Sequence, residues 1–121
     1  MENKTKILYV DDEEINTQVF EITFSHKFEV LIAESSETGL KLIQNNPDIK
    51  FVVSDMKMPK MNGMEFIWEI KKTNKELPCM LLSGYQQTQE IFDAIKNNII
   101  VAYQLKPFNR SEIEKLIEEH T

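Results

Sequence analysis

At 121 residues the chain is long enough for one domain with a real core, and a composition of 41% hydrophobic and 28% charged residues is that of a folded protein, not a disordered one. A net charge of −6, with no lysine/arginine cluster, argues against a nucleic-acid surface. Cys79 has no second cysteine to pair with, and the apolar stretch Ile7 to Val10 is too short for a signal peptide or a membrane span. The expectation is therefore a single cytoplasmic domain over residues 1–121, with no direct nucleic-acid or membrane partner.

Taken in order, Ile7-Leu-Tyr-Val10 is a first buried strand closed by Asp11-Asp12. Ile15, Val19 and Ile22 then fall at i, i+4 and i+7, predicting the inward stripe of a first helix, widened by Phe20 and Phe24. Glu13 and Glu14 sit at its start, where acids suit the helix dipole. Phe28 to Ala33 is a second strand. Ser35 or Ser36 caps a second helix facing inward with Leu40 and Ile43 and ending at Asn45-Asn46-Pro47. Phe51-Val-Val-Ser-Asp55 is a third strand that ends abruptly in an acid, followed by turn-forming Pro59 and Gly63. Met64, Phe66, Ile67 and Ile70 mark a third helix, and Pro78 to Ser83 a fourth strand ending in a hydroxyl. Ile91, Ala94 and Ile95 mark a fourth helix; Asn97 or Asn98 is placed to terminate it in the left-handed conformation. Ile99 to Leu105 is a fifth strand ending at Lys106-Pro107. Asn109 and Glu112 form a capping-box pattern for a last helix with Ile113, Leu116, Ile117 and His120 inward.

Apolar strands alternating five times with amphipathic helices predict an α/β fold: a doubly wound, five-stranded parallel sheet flanked by five helices. With right-handed crossovers the flavodoxin-like order 2-1-3-4-5 fits, and it sets the first and third strands side by side at the switch point. Asp11, Asp12 and Asp55 then meet at the carboxyl edge of the sheet, where open α/β sheets bind ligands.

Carboxylates about 4 Å apart repel by roughly 1 kcal/mol in water and about 4 kcal/mol at an intermediate dielectric. Such a cluster persists if a cation occupies it or if its pKa values rise. Oxygen-only ligands favour a hard ion, and Mg²⁺ (with Mn²⁺ as a substitute) suits a site that also binds phosphate. An isolated Asp-Asp pair is most often a solvated turn, an isolated lysine a surface residue, and a lone serine a cap. Here Lys106 and Ser83 end strands at the same edge as three acids. Asp55 as nucleophile, a metal, a hydroxyl and a lysine are a sufficient kit for phosphoryl transfer, which is mostly positioning and charge neutralisation.

Four segments, one per strand end, carry a resemblance: Val10-Asp-Asp-Glu13, Ser54-Asp55 with Met58-Pro59-Lys-Met-Asn-Gly63, Leu82-Ser83-Gly84, and Tyr103-Gln-Leu-Lys106-Pro107-Phe108. Together they resemble the response-regulator receiver domain (CheY-like) of two-component signalling, over essentially the whole chain. The resemblance implies that Asp55 is phosphorylated, with Mg²⁺, by a phosphohistidine of a sensor kinase or phosphotransfer protein or by a small phosphodonor. It implies Asp12 and Asp55 as direct metal ligands, with Asp11 assisting and the Lys57 carbonyl as a further one. It also implies a cis Lys106-Pro107 bond. Ser83 and Tyr103 would be the switch pair, and Lys57 and Tyr85 would tune phosphoryl lifetime. The output surface would be the face of helix 4, strand 5 and helix 5, presented to a downstream protein, a fused output domain or a phosphorylation-dependent dimer. The protein would be a regulatory phosphoacceptor and not an enzyme.

Two rivals share parts of this kit. A haloacid-dehalogenase-type phosphatase wants a second Asp two residues after the nucleophile, where this chain has Lys57. A flavin- or nucleotide-binding module wants a glycine-rich loop after the first strand, where this chain has Asp-Asp-Glu-Glu.

Overall fold

The computed structural model describes residues 4–85 and 87–121. Strands and helices alternate without exception: β1 (Thr5–Val10), α1 (Glu14–Phe24), β2 (Phe28–Ala33), α2 (Ser36–Asn45), β3 (Ile49–Asp55), α3 (Gly63–Thr73), β4 (Cys79–Ser83), α4 (Gln89–Lys96), β5 (Ala102–Leu105) and α5 (Arg110–His120). The strands pair in parallel in the order β2-β1-β3-β4-β5, as the alternation and crossover rules predicted.

Side chains alternate across the sheet, so each strand feeds two cores. Ile7, Tyr9, Phe51, Val53, Met80 and Leu82 face Phe20 and Phe24 of α1 and Ile113 and Ile117 of α5. Leu8, Val10, Val52 and Leu81 face the other way, onto α2, α3 and α4.

The phase of α1 departs from expectation. Ile15, Val19 and Ile22 point to solvent, with Ile15 and Ile22 more than two-thirds exposed (73% and 71%). The buried stripe is Thr17, Phe20 and Phe24. Aromatic rings bury more area than β-branched side chains, and these two find ring partners. Phe20 stacks on Tyr9 with centroids 4.1 Å apart and planes 2° from parallel, while Phe24 lies 4.4 Å from Phe20 and 5.5 Å from Phe108. Ring packing outweighs the spacing of the aliphatic residues.

Two ends also shift. Strand β3 starts earlier, at Ile49, and β5 starts later, at Ala102. Ile99 and Ile100 instead close the end of α4: both N–H groups donate to Ala94 O (2.8 and 3.3 Å), and Asn98 takes the expected left-handed conformation with φ 61°. Ile100 is buried beneath that turn. The α5 cap forms only in part: Glu112 N donates to Asn109 Oδ1 at 3.0 Å, but the Glu112 carboxylate accepts from Gln104 Nε2 at 3.2 Å instead of returning to Asn109. The full capping box belongs to α3, between Asn62 and Glu65. His120 is exposed, its Nδ1 2.8 Å from Leu116 O and its ring 6.3 Å from Phe51, so it borders the core without entering it.

Gly63 opens α3 against the strand end that carries Asp55. Its N–H donates to Met56 O at 2.8 Å. A Cβ there would run into the Asp55 carbonyl oxygen and come within 2.8 Å of Leu81 Cδ2 and 3.0 Å of Met56 Cα. Backbone cannot yield as a flexible side chain can. Gly63→Ala is expected to cost about 1–3 kcal/mol, as overpacking does, seen as a lower urea midpoint with an unchanged slope.

Candidate functional site

Strand register builds the site. Val10 pairs with Ser54, so the next residues out, Asp11 and Asp55, emerge side by side at the carboxyl edge. Asp55 pairs with Leu82, and Ser83 with Leu105, which sets Ser83 and then Lys106 on the far side of Asp55. Backbone bonds from Met56 N to Leu82 O and from Lys106 N to Ser83 O, both 2.8 Å, carry the pairing past the last ladder residues. The Lys106-Pro107 bond is cis.

The expected acids do converge. Asp11, Asp12 and Asp55 each place a carboxylate oxygen within 4.8 Å of the others. Asp11 is fully buried, Asp55 is 5% exposed, and Asp12 faces solvent. Lys106 Nζ bridges the two buried acids, 3.0 Å from Asp11 Oδ2 and 3.1 Å from Asp55 Oδ1. Burial pushes the Asp55 carboxyl above its ordinary range and the Asp11 charge adds to this, while the bond to Lys106 pulls the other way. Burial alone would lower the Lys106 ammonium, but its bonds and charge attraction to Asp11 and Asp55 outweigh that and raise it.

Asp11 is held from beneath. Its Oδ2 accepts from Tyr9 Oη at 2.6 Å, Asn16 Nδ2 at 3.1 Å and Lys106, and its Oδ1 accepts from Glu13 N at 3.0 Å. Burial first, then the bond to Asp11, drives the Tyr9 phenol pKa upward, so it stays a donor. Sequence reading missed Tyr9 and Asn16. Their signal is the two-residue strand spacing from Tyr9 to Asp11 and the position of Asn16 on the first turn of α1.

Ser83 is buried, and its Oγ accepts from Tyr85 N at 3.1 Å. Lys57 and Tyr85 meet over the β3 and β4 ends: Lys57 Nζ donates to Tyr85 Oη at 3.1 Å and lies 4.6 Å from the ring centroid. Met56, Lys57, Met58, Ser83, Tyr85 and Ile91 line a mainly apolar cavity of about 270 Å³ beside the acids. Tyr103 stands apart from the acids. It packs half-buried on the α4 side of the sheet, and its hydroxyl is shielded with no partner among the described residues. Cys79 is a buried thiol whose pKa burial pushes up to about 12, in keeping with an inert role.

Three carboxylates against one ammonium leave two negative charges uncompensated, a deficit that one divalent cation balances. An all-oxygen donor set suits a hard ion. The residues therefore fit Mg²⁺, with Asp11, Asp12 and Asp55 as the groups that would hold it.

A doubly wound α/β domain with an acidic cluster and a lysine at its switch point places a charged site where open α/β sheets bind their ligands. The sequence matches the family described as response regulator receiver domain over residues 7–118, and the chain belongs to that family. It is 28% identical over 121 residues to a chemotaxis protein CheY homolog of Campylobacter jejuni, covering 94% of this chain and 90% of that protein. It is 27% identical over 107 residues to the hydrogenase transcriptional regulatory protein HoxA of Cupriavidus necator, covering 88% of this chain but only 22% of that longer protein. Among solved structures, a response regulator receiver domain protein from Clostridium thermocellum superposes with a TM-score of 0.85 at 32% identity, covering 96% of this chain and 93% of that one. The response regulator TrrA of Thermotoga maritima, solved with Mg²⁺ and BeF, gives a TM-score of 0.82 at 25% identity, covering 97% and 99%. Receiver domains of this family are regulatory parts of two-component signalling. Among the described residues no helix is long and apolar enough to cross a membrane.

The lysine bridge has a definite pH signature. Lys106 titrates higher in the folded chain than its ordinary 10.5, so its stabilisation is complete below that value and is lost as pH rises through the folded one. Asp55 titrates above its ordinary 3.8, so ionising it opposes folding, and that penalty vanishes as pH falls through its folded value. Lys106→Met is expected to destabilise the metal-free protein by about 1–3 kcal/mol at pH 7, less than a fully buried pair would because the lysine is 25% exposed. Urea melts from neutral pH downward should show that deficit shrink as Asp55 takes up its proton.

Proposed function

We propose that the chain is the phosphoacceptor switch of a two-component pathway, one receiver domain over residues 1–121, with Asp55 as the acceptor. The carrying observation is the Lys106 ammonium shared by Asp11 and Asp55 beside the exposed Asp12. An Asp55 carboxylate oxygen attacks phosphorus, the bond from phosphorus to a donor histidine nitrogen breaks, and the imidazole leaves. The donor is a sensor histidine kinase or phosphotransfer protein, or a small phosphoramidate or acyl phosphate in its place. Mg²⁺ (or Mn²⁺), held by Asp11, Asp12, Asp55 and the Lys57 carbonyl, supplies charge neutralisation when bound. Lys106 turns from the carboxylates to a phosphoryl oxygen, and Ser83 donates its hydroxyl hydrogen to another while its oxygen goes on accepting from Tyr85 N.

That rearrangement reads out on the α4–β5–α5 face. Tyr103 packs next to α4, and Phe92 and Leu105 are exposed on those elements, 55% and 52%. A population moved from 1:99 to 99:1 needs about 5.5 kcal/mol of differential stabilisation. The downstream partner is a protein surface, a fused output domain or a second phosphorylated copy. Ile15, Val19 and Ile22 make an exposed apolar stripe beginning three residues after Asp12. It lies where a protein donor must approach, which supports a macromolecular donor over a small one. The unpaired Cys79 supports a cytoplasmic setting. Lys57 occupies the position where a dehalogenase-type phosphatase needs its acid, and its amine engages Tyr85, which disfavours that reading.

Incubation with labelled phosphoramidate and Mg²⁺ is expected to give an acid-stable, base-labile acyl phosphate on the natural chain and none on Asp55→Asn, with far-UV circular dichroism unchanged. Labelling of the Asn variant at another residue would refute the acceptor assignment. The Lys57–Tyr85 pair covers the approach of water to the acceptor. Tyr85→Ala is expected to shorten the phosphoryl half-life about tenfold, the equivalent of roughly 1.4 kcal/mol in barrier, measured by chase after removal of the donor.

A further inference from the structure

We propose that Tyr9 is a positioning residue of the acid cluster: its hydroxyl holds the Asp11 carboxylate in its cation-binding orientation independently of Lys106. The inference rests on the metal-dependent reading above and adds to it a residue that touches neither cation nor phosphoryl group.

The four donors to Asp11 are unequal. Lys106 must leave if it is to engage a phosphoryl oxygen. Asn16 is half-exposed, and Glu13 N serves the other oxygen. Tyr9 alone is almost fully buried, at 1% exposure, and makes the shortest bond, 2.6 Å. Its ring cannot drift, because it is clamped flat against Phe20 at 4.1 Å. A phenylalanine would fill the same slot beside Phe20, and among the described residues the hydroxyl bonds to Asp11 alone. The oxygen atom therefore serves the carboxylate and not the core. A neutral donor suits this task, since it fixes the acid without cancelling the charge that attracts the cation. Once Lys106 departs, Tyr9 and Asn16 remain on Oδ2 and Glu13 N on Oδ1, so Asp11 stays bonded and aimed while the lysine moves. Outer partners that orient metal-binding groups typically govern affinity by 10- to 100-fold.

The test is calorimetric titration of the full chain with Mg²⁺, comparing natural protein, Tyr9→Phe and Phe24→Leu. Tyr9→Phe is expected to raise the Mg²⁺ dissociation constant about tenfold. Phe24→Leu, which loosens the same aromatic cluster at a ring that packs on Phe20, Phe28 and Phe108, leaves the Tyr9 hydroxyl and its stack and should lower the urea midpoint without moving Mg²⁺ affinity. Tyr9→Phe affinity within twofold of natural protein overturns the inference, as does an equal loss in Phe24→Leu. If Tyr9→Phe does not fold, ¹⁹F spectra of the 3-fluorotyrosine-labelled natural sequence decide: the Tyr9 resonance must shift with the calorimetric Mg²⁺ midpoint, and a fixed resonance overturns the proposal. Failure of the natural chain to bind Mg²⁺ defeats the metal reading and this inference together, whereas natural binding that is unaltered in Tyr9→Phe defeats this one alone.

Discussion

The structure depends on one ammonium group shared by two buried carboxylates. Asp11 and Asp55 leave adjacent strands at adjacent positions because Val10 and Ser54 are in register, so the ladder that stabilises the sheet also forces two like charges together. Lys106 arrives from β5, across β4, and bridges them at 3.0 and 3.1 Å. Without it, a buried pair of acids would have to take up a proton or open the edge of the sheet. With it, the edge stays negative enough to attract a cation and closed enough to fold.

Strand alternation sorts the site into two halves. Tyr9, Asp11 and Asp55 fall in step with the residues that face α1 and α5, whereas Ser83 and Tyr103 fall in step with those that face α4. The acid cluster thus sits above one core, and Ser83 and Tyr103 side with the other. The link between them is the short β4 edge, where Ser83 lies beside Leu105 and one residue beyond the level of Asp55. A change in what Ser83 bonds to is felt first by the loop that leads into α4. Tyr103 lies half-buried on that same side, its hydroxyl unpartnered among the described residues.

Strand ends were the most legible part of the sequence. Each runs from a continuous apolar stretch into an abrupt polar residue, and the parallel order follows from alternation and crossover handedness. Asp11, Asp12, Asp55, Ser83 and Lys106 could be placed at one edge for that reason. The phase of α1 was not legible, because Ile15, Val19 and Ile22 satisfy helical spacing as well as Thr17, Phe20 and Phe24 do. Only the three-dimensional meeting of Phe20 with Tyr9 and of Phe24 with Phe108 decides between the stripes. The α5 cap misled for a similar reason: Asn109 and Glu112 have the right spacing, but Gln104 on a neighbouring element captures the glutamate. Tyr9 read as one more apolar strand residue, since nothing local reveals that its hydroxyl would find a buried acid two positions on.

In the proposed function, charge accounting at Asp55 requires atoms to move on phosphorylation. Forming an acyl phosphate replaces a singly charged carboxylate with a group of roughly −1.5 to −2, so the net gain is about one negative charge or less, displaced outward onto three new acceptor oxygens. Among the described residues the cation bonded to these acids is Lys106, and it already serves both of them. A divalent ion balances the resting cluster but leaves that increment unmet. The lysine must therefore be redirected, and a neutral donor must be recruited for the remaining oxygens. Ser83 is the hydroxyl at hand, and its present role is to accept from Tyr85 N. A hydroxyl accepts through its lone pairs while donating through its hydrogen, so in the proposed function Ser83 keeps the Tyr85 N–H as it turns its hydrogen toward the phosphoryl group. Any displacement of the serine oxygen is then passed through that bond to the segment that leads into α4.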